Sequence, residues 1–329
     1  MTKRHIIQFV GSVWRMPVVR ILASLCILAI LIHNIPLSDL WGTITQISPL
    51  LWAGIVTAFL FGHVVGVAKW CLFINMGQSR LPFTIAARSY FAGLFANLFL
   101  PSIAGGDVVR AGMAIRYKAD KEAVIVGGLL DRFSDVCALG LIILMSVSYS
   151  PMSLSVEGRS ILLSFIVSVF IFMLSVIFIL AFPFSKFFPR WLCDFIERIR
   201  NILKELIRKP KRALSALVIS LSIQSGFVIL NAIIGTACSI ELPLRVWFLT
   251  WPLAKISAML PISLGGLGVR ETALALLLLG FGVPFSKSVG VSLLWESVLI
   301  AGGIVGGFFY FFARKSTSTS RLAVGDSAF

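Results

Sequence analysis

The chain has 329 residues, of which 58% are hydrophobic and 13% are charged. Soluble domains average about 45–50% apolar and about 25% charged residues, so this composition excludes a conventional soluble enzyme, a coiled coil and a disordered protein. The formal net charge is +15, but the basic residues lie in short segments between long apolar runs, which is typical of a membrane protein and not of a nucleic-acid-binding face. We therefore predict an all-α polytopic membrane protein with no nucleic-acid partner.

Six apolar runs are long enough to cross a bilayer, since a helical span needs about 20 mostly apolar residues. In chain order they are residues 20–36, 50–75, 122–150, 158–183, 213–238 and 286–312. The first run follows a basic N-terminal segment, residues 1–19, and a signal peptide is the alternative interpretation of it. Because no small-residue cleavage site follows, we interpret this run as an uncleaved first span.

Two further apolar stretches, residues 88–117 and 247–281, are interrupted in the middle by proline and glycine. With the N-terminus in the cytoplasm, most of the 29 lysines and arginines fall in cytoplasmic segments, as the positive-inside rule requires. Each interrupted stretch then begins and ends on one side of the membrane. We predict two re-entrant helical hairpins that enter from opposite faces. The alternative, two full spans joined by a very short turn, leaves each arm too short to cross.

The tips of these hairpins, Leu100–Arg110 and Leu260–Arg270, share the pattern LP-x3-GG-x3-R. We predict an inverted repeat, with units at about 50–150 and 213–312, inside a single transmembrane domain over residues 20–312. Between the units we expect the span 158–183 and an amphipathic cytoplasmic helix over 185–212. Inverted repeats with broken helices are a transporter architecture, in which the substrate lies at the repeat interface.

The chemistry of the tips favours an anionic ligand. We expect the prolines to end the inward arms and the glycine pairs to allow the chain to reverse. The outward arms then begin at mid-bilayer, and helix N-termini bind anions such as phosphate. Arginine can also hold phosphate with two parallel hydrogen bonds. The candidate substrate-binding residues are Pro101, Gly105, Gly106, Arg110, Pro261, Gly265, Gly266 and Arg270.

Further ionisable residues fall at a similar predicted depth. Intramembrane charges are costly and indicate function, here gating or coupling. The candidates are Asp107, Asp131, Arg132, Asp135, Glu271 and Glu296. We expect Arg132 to lie opposite Glu296; a structural ion pair of Arg132 with Glu296 or Asp135 is the alternative, and Asp107 could instead cap its own helix.

Two lysines and the tail complete the pattern. Lys69 lies near a predicted helix end, where we expect it to snorkel to the cytoplasmic surface, and Lys255 lies on the inward arm of the second hairpin. The polar tail, residues 313–329, is predicted to be disordered and cytoplasmic. No phosphate loop, metal-ligand cluster or catalytic histidine motif occurs in the sequence, so we predict no cofactor, no metal and no catalytic residue.

Specific motifs link the chain to a known family. The segment NLFLPSIAGGDVVR (97–110), Asp131 with Arg132, and the segment LPISLGGLGVRE (260–271) resemble the lysylphosphatidylglycerol synthase transmembrane, or flippase-like, family. The resemblance covers about residues 15–312. It implies a lipid-flippase fold and a stand-alone member, since the sequence ends at Phe329 without the aminoacyl transferase domain of the bifunctional members.

These observations together predict a translocase of the bacterial inner membrane, with both termini cytoplasmic. It would move a phosphate-containing lipid headgroup, of a phospholipid or a polyprenyl-phosphate-linked lipid, between leaflets for cell-envelope biosynthesis. Envelope-lipid biosynthetic enzymes are further candidate partners. The alternatives are an intramembrane enzyme that modifies a lipid phosphate and a non-transporting scaffold. The sequence leaves open the lipid, the direction, proton coupling or downhill scrambling, and the oligomeric state.

The predicted topology can be tested by cysteine labelling. In a variant whose five native cysteines are replaced, single cysteines at positions 153 and 244 should react with a membrane-impermeant maleimide in intact cells. Cysteines at positions 79 and 118 should react only after the cells are opened, because the positive-inside rule places both in the cytoplasm. Labelling of position 79 in intact cells would contradict the opposed hairpins.

Overall fold

A computed structural model describes residues 37–75, 80–100, 103–117, 119–148, 210–259 and 266–325, and isolated positions between 160 and 197. The predicted segments 20–36, 158–183 and 185–212 lie outside the described residues, apart from those positions and residues 210–212, which belong to the first turn of a described helix. All regular secondary structure in the described ranges is helical, which confirms the all-α prediction. The helices are α1 Leu37–Ile44, α2 Pro49–Ile74, α3 Phe83–Ala96, α4 Ile103–Arg116, α5 Lys121–Ser148, α6 Pro210–Ala237, α7 Leu244–Ala258, α8 Val269–Leu279 and α9 Phe285–Gly325.

Three of these helices are long and apolar enough to cross a membrane: α2, α6 and the Phe285–Phe312 part of α9. They coincide with three predicted spans. Helix α2 begins as the sequence leads one to expect, since Pro49 occupies a first-turn position and the Ser48 hydroxyl accepts a hydrogen bond from the Leu51 N–H at 3.2 Å. Helix α5 is as long as α6, at 28 residues, but carries three charged residues at its centre.

The helices form two units of the same plan, α2–α5 and α6–α9. Each has a long helix, two short ones and a long one, with 26, 14, 14 and 28 residues in the first unit and 28, 15, 11 and 41 in the second. At a rise of about 1.5 Å per residue, each short helix is about 16–22 Å long, less than the hydrocarbon thickness of about 30 Å.

Equivalent helices of the two units make equivalent contacts across the interface between the units. Helix α3 of the first unit packs against α9 of the second, and α7 of the second unit packs against α5 of the first, while α2 packs against α6. The two contacts between short and long helices are equivalent, since in each the first short helix of one unit packs against the last long helix of the other. At their centre Trp295 makes edge-to-face contacts with Phe59 and Trp251, with ring centroids 5.6 and 5.2 Å apart, and Phe227 lies 5.4 Å from Phe59.

The last helix is longer than the sequence indicates. We expected a disordered tail from residue 313, whereas α9 continues to Gly325. Extending an existing helix adds one hydrogen bond for each residue fixed, so a polar segment can continue a helix that the apolar residues before it have nucleated.

In the first hairpin, the predicted role of the glycine pair is wrong. Helix α3 ends at Ala96 and α4 begins at Ile103, so Gly105 and Gly106 lie inside the first turns of α4 and do not form the reversal. A Cβ on Gly106 would overlap the Gly93 carbonyl oxygen and the Asn97 side chain. The Gly106 N–H donates to Asn97 Oδ1 at 2.8 Å. This glycine therefore allows α3 and α4 to approach closely.

The second hairpin uses its glycines differently. Gly266 and Gly268 both have φ of +85°, a left-handed conformation that favours glycine, and α8 begins immediately afterwards at Val269. The expected reversal at a glycine therefore holds for Gly266. Pro101, Pro261 and Gly265 lie outside the described residues.

The close approach at Gly106 yields a stability prediction. Gly106→Ala should lower the free energy of unfolding by about 1–3 kcal/mol, because the added methyl group forces α3 and α4 apart. Gly112→Ala in the same helix is the matched control: nothing lies within 4 Å of a Cβ there, so it should be neutral or raise stability by up to about 1 kcal/mol. Denaturant titration in mixed micelles measures both; equal effects would contradict the close-approach role.

Candidate functional site

The first hairpin arginine belongs to a network of buried ion pairs. Arg110 is 4% exposed, and its Nη2 donates to Asp131 Oδ2 on α5 at 2.8 Å. Its Nε also lies 3.2 Å from Asp107 Oδ1 on its own helix. Asp107 is held in turn by Arg132, which donates from Nε and Nη2 to the two carboxylate oxygens at 2.6 and 2.8 Å. This bidentate pair joins α4 to α5.

Lys69 extends the same network to a third and a fourth helix. It is 2% exposed, and its Nζ lies 3.0 Å from Asp131 Oδ1 and 2.6 Å from Asp135 Oδ1. It also donates to the Ser220 hydroxyl on α6 at 2.9 Å. The expectation that Lys69 snorkels to the surface is therefore wrong: two carboxylates hold it inside.

The second hairpin carries a smaller network. Arg270, 7% exposed, donates from Nη2 to Glu271 Oε1 at 2.6 Å and to Glu296 Oε2 on α9 at 2.5 Å. Glu271 also accepts the Gly268 N–H at 2.6 Å, which satisfies a donor at the start of α8. In both units, then, the hairpin arginine pairs with a carboxylate on the long helix that follows it.

Aromatic rings pack against the same two arginines. The Arg110 guanidinium carbon lies 4.9 Å from the ring centre of Trp70 and 5.2 Å from that of Tyr90, and that of Arg270 lies 5.8 Å from Trp251. Cation–π attraction at these distances helps to offset the removal of the arginines from water.

Several sequence predictions about these residues change. Arg132 does not meet Glu296 or Asp135: it pairs with Asp107, while Glu296 pairs with Arg270 and Asp135 with Lys69. Asp107 does not cap a helix, because it lies past the first turn of α4.

The helix N-termini also differ from expectation. Arg110 is two turns into α4, whereas Arg270 follows directly after the start of α8. The Gly106 and Gly268 N–H groups already have protein acceptors, Asn97 and Glu271. Gly105 packs against the Leu100 side chain. The Gly106 and Gly268 N–H groups are therefore not free for an anion in this conformation.

A polar cavity of about 100 Å³ lies among α2, α3, α4, α5, α6 and α7, between the two units. At about 30 Å³ per water molecule, it has room for roughly three waters or a small anionic group. Arg270 does not line it. The lysine, arginine and aspartate residues in its wall are Lys69, Asp107, Arg110, Arg132, Asp135 and Lys255.

The cavity wall also contains polar and aromatic residues that the sequence analysis did not select: His63, Tyr90, Gln224 and Phe227. Lys255 donates to Gln224 Oε1 at 2.6 Å and lies 5.1 Å from the centre of the Phe227 ring. The available signal was a polar side chain within an apolar run, which holds for His63 and Gln224. For Tyr90 and Phe227 the sequence carries no signal, because aromatic residues are common throughout apolar helices.

Long apolar helices and buried ion-pair networks are typical of a helical membrane protein, and here they occur in two units with the same order of helices. A family model for the lysylphosphatidylglycerol synthase transmembrane region matches residues 18–307, so the chain belongs to this family, as the hairpin motifs indicate. It is also similar to a UPF0104 membrane protein of Pyrococcus horikoshii, 24% identical over 286 residues, covering 76% of this chain and 84% of that protein. No solved structure matches the chain.

The buried position of Lys69 yields a second stability prediction. Lys69→Met should lower the free energy of unfolding by about 3–5 kcal/mol, because it leaves Asp135 without its cation and removes one of two cations from Asp131. Adding Asp135→Asn should recover part of the loss, since the uncompensated charge disappears. A double-mutant cycle in mixed micelles measures the coupling, with the exposed Lys211→Met as the control. Strictly additive losses would contradict the pairing.

Proposed function

We propose that the protein translocates a membrane lipid with an anionic, phosphate-containing headgroup between leaflets, without changing the lipid chemically. The observation that carries the proposal is the charged cavity between two reciprocally packed units. In transporters built from inverted repeats, the substrate binds at this interface. The family relationship supports a membrane function of this kind but does not identify the lipid.

The short helices fit the proposed path. Re-entrant α3–α4 and α7–α8 hairpins would place residues 97–110 and 259–270 near mid-bilayer, because each arm is about half a bilayer long. The headgroup would move along the interface between the units while the acyl chains remain in lipid. Only the polar part of the lipid would then need protein partners on the way.

The ion pairs provide the proposed binding step. Arg110 and Arg270 are each held by a carboxylate on the following long helix, Asp131 and Glu296. A phosphate group offers guanidinium the same two-oxygen geometry as a carboxylate, so it can compete for either arginine. Exchange of a carboxylate for a phosphate would free α5 or α9 from its hairpin, which couples binding to the relative position of the helices. The side chains released by this exchange would pair with the other members of the two networks: Asp107, Arg132, Asp135 and Glu271.

Substitution of the two arginines tests this function. Arg110→Ala and Arg270→Ala should each slow lipid flipping in proteoliposomes roughly ten- to hundredfold, because a hydrogen bond to a charged group is worth about 1.5–3 kcal/mol. Arg→Lys at either position should restore part of the rate, since it returns the charge without the planar fork. The assay compares equal amounts of folded protein.

The exposed Arg116→Ala, on the same helix as Arg110, and Arg245→Ala, on the second hairpin, are the matched controls and should flip lipid at the wild-type rate. Wild-type rates for all four arginine variants would exclude the proposed binding step. A wild-type protein that does not flip lipid would favour a scaffold, and chemical turnover of the lipid in detergent would favour an enzyme.

A further inference from the structure

Lys255 differs from every other cation in the cavity wall. Lys69, Arg110 and Arg132 each contact at least one carboxylate at 3.0 Å or less. Lys255 makes no ion pair with any carboxylate in the described part of the chain, and its hydrogen-bond partner is the neutral Gln224. A partly buried ammonium whose only hydrogen-bond partner is neutral is energetically unfavourable, and charged residues of this kind inside membrane proteins commonly mark functional sites.

The charges around the cavity leave one positive charge uncompensated. Four cations, Lys69, Arg110, Arg132 and Lys255, share this region with three carboxylates, Asp107, Asp131 and Asp135. The three carboxylates are all engaged with the first three cations. A ligand with a single negative charge beside Lys255 would therefore make the region neutral.

A second group in the same wall also lacks a partner. The Nε2 atom of His63 is buried and has no hydrogen-bond partner, while its Nδ1 lies 3.4 Å from the Tyr90 hydroxyl. If that hydroxyl donates to Nδ1, the ring proton lies on Nε2, which becomes a donor without an acceptor. The Phe227 ring contacts both residues: its centre lies 5.7 Å from the His63 ring and 5.1 Å from Lys255 Nζ.

We propose that Lys255 is the anion-binding residue of this cavity, oriented by Gln224 and assisted by His63, and that its ligand is a singly charged phosphate diester. This inference rests on the proposed function, which it deepens by assigning the first contact of the phosphate. That contact is Lys255, which has no ion pair with a described carboxylate, and it precedes contact with the two hairpin arginines, which are already paired. A diester fits because its one charge matches the one uncompensated charge. The same chemistry occurs in a lipid headgroup and in a free glycerophosphodiester.

Ligand-induced stabilisation of the purified protein in uncharged detergent tests the assignment. Phosphatidylglycerol should raise the melting temperature of the wild type, and diacylglycerol with the same acyl chains should not, because it lacks the phosphate. Glycerophosphoglycerol, the headgroup without chains, separates a lipid site from a site for a free phosphodiester. Lys255→Met should weaken the apparent affinity for the active probe roughly ten- to hundredfold, and the exposed Lys211→Met should not change it.

Gln224→Glu provides the sharper test. The substitution places a carboxylate beside Lys255 with almost no change in shape, so the protein supplies the missing negative charge itself. We expect this variant to be more stable than the wild type without ligand and to gain little from phosphatidylglycerol. Lys255 could instead have a purely structural role, in which its charge stabilises the C-terminal end of α7. In that case Lys255→Met would lower the stability of the protein, but the variant would bind phosphatidylglycerol as the wild type does.

The outcomes separate this assignment from the proposed function. Equal stabilisation of wild type, Lys255→Met and Gln224→Glu by phosphatidylglycerol would overturn the assignment, even if the wild type flips lipid. No stabilisation of the wild type by either phosphodiester would also overturn it. If the probes bind through Lys255 but the wild type does not flip lipid in proteoliposomes, the assignment stands and the proposed function fails.

Discussion

The requirement that buried charges be compensated governs the interior of this protein. Among the described residues, ten charged side chains form the two networks or line the cavity, and they comprise five cations and five carboxylates. They are Lys69, Arg110, Arg132, Lys255 and Arg270, with Asp107, Asp131, Asp135, Glu271 and Glu296. In a low-dielectric interior an unpaired ion costs several kcal/mol or more, so each carboxylate must meet a cation. This pairing explains how α5 can carry three charges at its centre.

The two units meet this requirement unequally, although their helices follow one plan. The ion pairs of the first unit join three cations to three carboxylates, while those of the second join Arg270 to Glu271 and Glu296. The missing positive charge of the second unit is Lys255, which points across the interface into the cavity wall formed largely by the first. The packing of α7 against α5 therefore places one cation of the second unit beside the ion pairs of the first.

Ion pairs in an apolar interior contribute little net stability, since hydrophobic residues of similar size often do as well or better. Under the proposed function, their role is to exchange partners. Arg110 already contacts two carboxylates, Asp107 and Asp131, and Asp131 contacts two cations, Arg110 and Lys69. Because these members have two partners each, one of their ion pairs can open while the other still compensates the charge. An anionic ligand adds one more partner to such a network.

The sequence by itself determined the local features: apolar runs of sufficient length became α2, α6 and α9, and the spacing of LP-x3-GG-x3-R located both pairs of short helices. The tertiary structure alone decided which charges meet. Lys69 and Asp135 are 66 residues apart, and whether a lysine snorkels or is buried depends on the helix packed against it. The two copies of the glycine motif also have different roles in the tertiary structure. Gly106 allows a close contact between two helices, whereas Gly266 adopts a left-handed conformation in a turn. Hydropathy and motif spacing report each segment separately, whereas ion pairing depends on how the helices are rotated against one another, which only their packing fixes.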